Sequence, residues 1–427
     1  MNHAPGDFCA GTTQDFSTPC QGQRTCYVPA PKWSEREAGV RSTYKSPLYY
    51  DPISSKFLRV ALFSFRADGI PQTAAVAPHI TPVPAKGGPT GGGGEGKGGG
   101  GGGETAPITG SGIPNVTDAK NPVCVPWYGI RDAIMGGIFQ GRCGDNARAA
   151  IRLAFHDAGT FSLALQANAL PNGGADGSLL VDPNEVLRSE NNGLQNIVSL
   201  LKPLPAQFGV SPGDIVHLAG VLAVLACPGG PVIPAYVGRD APRNIAPTGL
   251  LPNPEDPVDV LLARFADIGF DSREVMALIG AHTTGKQRFV DTAVANTTFD
   301  TTVQIWDTRF YTQTADPTTD LPGTFKLDSD VNFATNPTTA TDFKHFIGKQ
   351  ATWITEYAAA HEKMSLLGFQ ARDLTDCSEI LPLAIDLTNL AEVTTTGGGK
   401  PPTDPLIDPI KLEAAIQQFR SIWLVPQ

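Results

Sequence analysis

The sequence predicts a mainly α protein, and three observations lead to this fold class. After Cys124, apolar residues recur at helical spacing in several segments. Residues that favour helix starts and ends flank these segments. Strand signals are few, so we expect only short strands, with long ordered loops that need disulfides or bound ions to hold them.

The helices are predicted in chain order from these signals. Asp145 is expected to cap the second helix. The Asp271-Ser272-Arg273-Glu274 run resembles a capping box, and the helix that it begins is expected to continue through His282 and to end near Gly285. The other predicted helices, including one or two in the last range, cover 125–139, 147–158, 194–201, 215–225, 258–268 and 341–367.

Composition separates the chain into unequal parts. Residues 1–110 are of low complexity, with a glycine-rich linker at 87–103, so we expect a disordered extension in which two of Cys9, Cys20 and Cys26 could pin a small loop. Residues 111–395 are expected to form the folded domain, and 396–427 a C-terminal tail. The first ten residues lack the basic start and apolar core of a signal peptide.

Charge and hydropathy exclude some partners. The formal net charge is −10, which argues against nucleic acid and against an anionic membrane surface. The longest apolar stretch, 215–227, is too short to span a bilayer and contains His217. The seven cysteines include no C-x-x-C pair, so a zinc ribbon and a thioredoxin motif are excluded.

The most informative run is Arg152-Leu153-Ala154-Phe155-His156-Asp157. On a helix, Arg152 and His156 share a face, so a base and a fixed cation point into the same space beside an aromatic ring. Asp157 points roughly a quarter-turn away. This arrangement suits the cleavage of a small polar molecule.

A second histidine motif ends an apolar segment, Ala277-Leu278-Ile279-Gly280-Ala281-His282-Thr283-Thr284-Gly285. The small residues before His282 would let a flat ligand approach the backbone closely. Taken alone, the motif favours a hydrogen-bonded core histidine over a ligand-binding one.

Together the two motifs resemble those of the plant, fungal and bacterial haem peroxidase superfamily, and most closely the secreted fungal class of lignin and manganese peroxidases. The resemblance covers about 124–390. It implies a haem peroxidase fold, with one haem b between a distal and a proximal helical half, and an enzyme that uses H₂O₂ to oxidise small aromatic donors. It also implies a monomer in an extracellular location, and the sequons at Asn115 and Asn296 support secretion mildly.

The resemblance assigns a role to each matching residue. On the distal side, His156 would be the base, Arg152 would stabilise charge on the departing oxygen, Asn191 would orient His156, and Phe155 would lie over the haem. On the proximal side, His282 would be the iron ligand, supported by Asp330 and flanked by Phe299.

Two calcium sites and two disulfides are also implied. The first calcium site would take Asp157, Gly174, Asp176 and Ser178, and the second Thr283, Asp300, Thr302, Ile305 and Asp307. Standing alone, each run favours an ordinary turn or cap. Asp157 and Thr283 directly follow the two active histidines, however, and this position favours the ion. The implied disulfides are Cys124–Cys377 and Cys143–Cys227. Glu185 matches a structural carboxylate linked to the distal site.

The chain departs from the class where reducing substrates bind. The three carboxylates of a manganese site correspond here to Asp145, Ala149 and Arg288, and the surface tryptophan of the lignin-type enzymes corresponds to Ala277. Asp291 stands where ascorbate-type members need a basic residue, and Pro247 falls in a loop that often lines the haem edge. Trp306 could relay electrons, although packing is the commoner role for such a residue.

These departures favour oxidation of small phenols and dyes at the exposed haem edge. Two alternatives stay open: Mn²⁺ oxidation at a rearranged site, and a non-catalytic haem-binding or surface-binding protein that works through residues 1–110.

Overall fold

The computed structural model describes residues 48–51, 56–59, 113–316, 318, 321–387 and 407–423. The chain divides into two compact units, 1–100 and 101–427. In the first unit, strand β1 (Leu48–Asp51) pairs antiparallel with β2 (Lys56–Arg59), within a region that the sequence predicts to be disordered. The glycine-rich linker and Cys9, Cys20 and Cys26 lie outside the described residues.

The described part of the second unit is mainly helical, in agreement with the predicted fold class. The helices are α1 (Val125–Asp132), α2 (Asp145–Ala158), α3 (Leu163–Ala167), α4 (Ser178–Val181), α5 (Gln195–Leu201), α6 (Leu204–Phe208), α7 (Pro212–Leu225), α8 (Val258–Ile268), α9 (Ser272–Ile279), α10 (Arg309–Ala315), α11 (Asp328–Thr335), α12 (Ala340–Lys344), α13 (Gln350–Ser365) and α14 (Pro409–Trp423). Strand β3 (Tyr236–Val237) pairs antiparallel with β4 (Thr375–Asp376).

Three predicted helices differ in detail. Asp145 is the first residue of α2 rather than its cap, because Gly144 occupies the capping position. The first helix changes to a π-helical segment at Ala133–Ile138. The helix expected to continue through His282 ends at Ile279, and a 3₁₀ turn, Gly280–Thr284, carries the histidine. The predicted capping box at Asp271 and Glu274 is formed.

The core is centred on α7, which packs extensively on α2. Helix α7 is buried on nearly all sides, as expected for a helix that is apolar around its whole circumference. Helix α13 packs on both α9 and α2. The pair α2 and α7 therefore corresponds to the expected distal half, and α9, α10, α11 and α13 correspond to the expected proximal half.

Both disulfides implied by the resemblance are formed. Cys124–Cys377 joins the start of α1 to the region after β4, and Cys143–Cys227 joins the segment before α2 to the segment after α7. The second bond therefore links neighbouring ends of the two central helices.

The C-terminal tail contains α14, a helix that was not predicted from the sequence. Phe419 and Trp423 are buried, and the Trp423 ring lies 5.6 Å from the Arg131 guanidinium. The Trp423 indole packs against Gly141, whose φ is +58°. A Cβ atom at this position would lie only 2.9 Å from Trp423 Cδ1, so a larger residue would not fit. Among the described residues, no helix is long and apolar enough to cross a membrane.

Candidate active site

Helix α2 brings Arg152, Phe155 and His156 together, as its sequence predicts. Arg152 is solvent-exposed, and it donates hydrogen bonds of 2.8 Å to the carbonyls of Glu190 and Asn192. Partial desolvation lowers its pKa to about 10, so the guanidinium stays charged at neutral pH. The two carbonyls fix the position of this cation beside the histidine.

His156 is buried and oriented by an amide. Its Nδ1 lies 2.8 Å from Asn191 Oδ1, while Asn191 Nδ2 donates to the Glu185 carbonyl at 2.8 Å. Because the amide oxygen can only accept, Nδ1 carries the hydrogen and Nε2 keeps its lone pair. Desolvation, and then the Arg152 charge, lower the pKa of His156 to about 3, so the ring is a neutral base at neutral pH.

His282 stands on the 3₁₀ turn after α9 and has a carboxylate behind it. Its Nδ1 lies 2.9 Å from Asp330 Oδ2, and Asp330 is 1% exposed. The Phe299 ring lies 5.1 Å from the imidazole, tilted by 35°, and Phe310 meets it edge-on at 5.6 Å.

The two histidines suit an iron porphyrin. Each has Nδ1 engaged by a side-chain oxygen, and neither Nε2 has a hydrogen-bond partner among the described residues. The His282 side chain is 35% exposed, so its free nitrogen can be reached by a ligand. A carboxylate behind an imidazole is the usual support for a metal-ligating histidine. The residues present therefore fit a haem.

A first cluster of oxygen atoms lies at the end of α2. Asp157 Oδ2 accepts hydrogen bonds from Gly177 N at 2.9 Å and His217 Nε2 at 3.0 Å. Asp157 Oδ1 and Ser178 Oγ are buried without a partner among the described residues. Desolvation raises the pKa of Asp157 to about 7.

The rest of this cluster adds negative charge. The pKa of Asp176 is raised to about 7 by desolvation and then by the charge of Asp157. Glu185 is buried with neither carboxylate oxygen partnered in the described part. Gly174 adopts φ +141° beside these residues. Orphaned oxygens in a strongly acidic buried cluster fit a hard cation such as Ca²⁺.

A second cluster of oxygen atoms follows His282. The Thr283 hydroxyl donates to Asp300 Oδ2 at 2.5 Å and lies 3.4 Å from the Ile305 carbonyl. The Thr302 hydroxyl lies 3.3 Å from Asp300 Oδ1 and 3.1 Å from Asp307 Oδ1. Desolvation and the Asp307 charge raise the pKa of Asp300 to about 7. All five predicted ligands therefore lie in one cluster.

Within the described ranges, no three His, Cys, Asp or Glu side chains form a metal-binding group. Both clusters depend instead on carboxylates combined with hydroxyl and carbonyl oxygens. This mixture is typical of calcium sites and not of zinc or iron sites.

Three side chains that shape the site were not predicted from the sequence. Phe265 stacks on Phe155 at 6.2 Å, Phe310 meets His282, and His217 binds Asp157. Phe265 and Phe310 lie on α8 and α10, where they look like ordinary apolar positions. His217 alone carried a signal, as a histidine within an apolar run.

The structure also shows the surroundings of the positions at which this chain differs from the lignin and manganese peroxidases. Asp145 is bonded to Arg148, and its Oδ2 lies 3.4 Å from Arg288 Nη2. Two cations therefore flank the carboxylate that matches a manganese ligand of the class. Ala277 and Trp306 are fully buried, so neither position offers an aromatic ring at the surface.

Comparison with known proteins agrees with this geometry. The Peroxidase family model matches residues 131–349. The chain is 34% identical to manganese peroxidase 3 of Phlebia radiata over 284 residues, which are 62% of this chain and 78% of that protein. It is 33% identical to a peroxidase of Arthromyces ramosus over 302 residues, covering 67% and 82%, and 32% identical to ligninase LG6 of Phanerodontia chrysosporium over 296 residues, covering 65% and 80%. The match, the helical fold and the paired histidines lead to one conclusion: the chain belongs to the peroxidase family, as a fungal class II haem peroxidase that acts on H₂O₂.

Proposed function

We propose that the protein holds one haem b between His156 and His282, and that it oxidises small phenolic or aromatic donors in one-electron steps at the haem edge. The observation that carries this proposal is the matched pair of imidazoles, each engaged at Nδ1 by a side-chain oxygen. A free Nε2 then remains on each ring, one for the peroxide and one for the iron.

On the distal side, His156 transfers a proton and Arg152 stabilises charge. His156 Nε2 takes the proton from the inner peroxide oxygen and delivers it to the outer oxygen, which leaves as water. The Arg152 cation stabilises negative charge on that departing oxygen. A haem bound between the two histidines would supply the two electrons needed to reduce the peroxide.

On the proximal side, His282 Nε2 is the proposed iron ligand. Asp330 accepts a hydrogen bond from Nδ1–H at 2.9 Å in a buried position, which increases electron density on the imidazole. Phe299 and Phe310 restrict rotation of the ring through their contacts on two sides.

We also propose one Ca²⁺ in each oxygen cluster, so two ions in all. Thr283 and Asp157 directly follow the two histidines in the sequence. Each ion would therefore fix the end of the segment that carries an active residue. Removing the ions would leave several buried carboxylates without compensation.

Calcium removal should lower stability measurably. We expect EGTA to lower the thermal midpoint of the haem-loaded protein by roughly 5–10 °C, because a ligand at about a thousand times its Kd contributes about 4 kcal/mol. The shift should be smaller in Asp300→Asn, which has lost one ligand charge, and unchanged in Asp240→Asn, whose carboxylate is exposed. Wild-type protein that contains no calcium by atomic emission and shows no EGTA effect would contradict the proposal.

A donor panel tests the proposed substrate class. At one pH, phenol and dye oxidation should saturate with donor concentration, while Mn²⁺ oxidation should not, since Arg148 and Arg288 repel the cation near Asp145. The double variant Ala149→Glu/Arg288→Asp should gain saturable Mn²⁺ oxidation, whereas Arg142→Asp, which reverses one charge outside the three matching positions, should not. Saturable Mn²⁺ activity in the wild type that disappears in Asp145→Ala would support the manganese alternative instead.

The setting proposed for this activity is extracellular. Two disulfides in the described domain favour an oxidising compartment. We propose a monomer with the catalytic domain in 111–395, without nucleic-acid or membrane partners, in keeping with the net charge of −10.

A further inference from the structure

A cluster of large aromatic rings lies behind His282, and we call it the proximal aromatic cluster. Its members are at most 1% exposed: Trp306, Phe310, Tyr311, Trp353 and Tyr357. The Trp306 and Trp353 rings stack 5.3 Å apart at 8°, and Tyr357 meets Trp306 edge-on at 4.7 Å. Four of these five side chains, the two tryptophans and the two tyrosines, are oxidisable and lie behind the proposed iron ligand.

The cluster is continuous with the histidine. Centroid distances are 5.6 Å from His282 to Phe310, 5.4 Å from Phe310 to Tyr311, and 5.8 Å from Tyr311 to Trp353. Trp353 in turn lies 6.0 Å from Tyr357. The turn that carries His282 also touches the rings directly, because a Cβ at Gly280 would lie 2.2 Å from Tyr311 Oη and 2.5 Å from Trp353 Nε1.

The members differ in where a proton could go. An oxidised phenol is a very strong acid, so a buried tyrosine loses an electron readily only when a base can take its proton. The Tyr311 hydroxyl donates to the Met276 carbonyl at 2.6 Å, and Trp353 Nε1 donates to the Ala277 carbonyl at 3.0 Å. A carbonyl oxygen cannot keep a proton. Trp306 Nε1 is buried with no partner among the described residues.

Tyr357 alone in this cluster is paired with a base. Its hydroxyl lies 3.0 Å from His361 Nδ1, one helical turn along α13, and His361 is fully buried. Burial, and then the nearby His217, lower the pKa of His361 to about 3, so the imidazole is neutral and its Nδ1 can accept. Burial raises the pKa of Tyr357, so the phenol keeps its proton until an electron leaves.

The far side of His361 is also suited to a change of charge. With Nδ1 accepting from Tyr357, Nε2 carries the hydrogen, and this atom has no partner among the described residues. His217 donates from Nε2 to Asp157, so its own buried and unpartnered Nδ1 is an acceptor. Both nitrogens, His361 Nε2 and His217 Nδ1, are buried without a partner among the described residues, and the two imidazoles are close enough to interact electrostatically.

We propose that Tyr357 and His361 form an internal one-electron donor to the haem, an inference that rests on the proposed function. One electron passes from the Tyr357 ring through the aromatic cluster to the oxidising equivalent that peroxide reduction leaves at the haem. The Tyr357 O–H bond breaks, an N–H bond forms at His361 Nδ1, and the products are a neutral tyrosyl radical and an imidazolium. Both steps reverse when an external donor returns an electron.

Burial decides the role of this pair. No external donor can touch Tyr357, so the pair does not oxidise substrate directly. It instead removes an oxidising equivalent from the haem when external donors are absent, and so protects the haem from a second peroxide molecule.

The test is electron paramagnetic resonance on haem-loaded protein, frozen within milliseconds after addition of one equivalent of H₂O₂ without donor. We expect a tyrosyl signal in the wild type that narrows when the tyrosines are ring-deuterated. Tyr357→Phe should remove the signal, while the matched control Tyr311→Phe, which loses a hydrogen bond to a carbonyl, should retain it. His361→Gln keeps an acceptor but not a base, so the signal should fall severalfold and its g-tensor should shift with the altered hydrogen bond.

The remaining outcomes overturn the inference. Consumption of peroxide by the wild type without a tyrosyl signal, or a signal that persists in Tyr357→Phe, refutes the internal donor but not the peroxidase. A wild type that does not consume peroxide refutes the proposed function and this inference with it. Tyr357→Phe should also lose its haem absorbance severalfold faster than Tyr311→Phe in excess peroxide, and equal rates would contradict the protective role.

Discussion

Replacement of His156 by alanine is expected to slow the reaction with H₂O₂ by about 10²–10⁴-fold, the usual contribution of a positioned proton-transfer group. The variant keeps Arg152 and its bonds to the Glu190 and Asn192 carbonyls, so electrostatic stabilisation survives while the base is lost. The haem should remain bound, because His282 and Asp330 lie on the other side of the site. Stopped-flow absorbance after mixing with peroxide measures the second-order rate constant directly.

The matched control is His345→Ala, which removes an imidazole that pairs with Glu356 away from both active histidines. Its rate constant should equal that of the wild type. A change below tenfold in His156→Ala would show that another group transfers the proton, and the assignment of His156 as the base would be wrong.

Gly280→Ala is expected to destabilise the domain by about 3 kcal/mol, at the upper end of the usual cost of overpacking. The added methyl would lie 2.2 Å from Tyr311 Oη and 2.5 Å from Trp353 Nε1. Both groups are held by hydrogen bonds to backbone carbonyls, so they cannot simply swing aside. The turn must move, and the His282 ring moves with it.

Urea unfolding followed by far-UV circular dichroism measures the loss, and haem titration should show weaker binding in the same variant. Gly137→Ala is the matched control: the same methyl is added in a helical segment with nothing within 4 Å, so stability should change by about 1 kcal/mol at most. If the two variants behave alike, close packing at Gly280 is not what positions His282.

The distal half could be predicted from sequence because its chemistry is local. Arg152, Phe155 and His156 share one helix face, and the i,i+4 relation alone brings the base and the cation together. Asn191 and Asp330 were different: they lie 35 and 48 residues from the histidines they contact, and only the family resemblance identified them.

Other features depend on tertiary packing that no short pattern encodes. The helix before His282 gives way to a 3₁₀ turn because Gly280 must fit beneath Tyr311 and Trp353, which lie 31 and 73 positions further along the chain. Helix α14 escaped prediction because Trp423 is buried against Gly136 and Gly141, which lie far earlier in the sequence. Tyr357 and His361 are only four residues apart, but the proposed role of the pair depends on Trp306 and Trp353, which contact Tyr357 through tertiary packing.

The bond between Cys143 and Cys227 has a consequence for the speed of the chemistry. It ties the start of α2 to the end of α7, while the hydrogen bond from His217 to Asp157 ties the end of α2 to the middle of α7. A helix held at both ends cannot roll about its own axis, and a roll of one residue would swing His156 by about 100°. The direction in which His156 points from α2 is therefore fixed when the protein folds, and little reorganisation of the base is needed when peroxide binds.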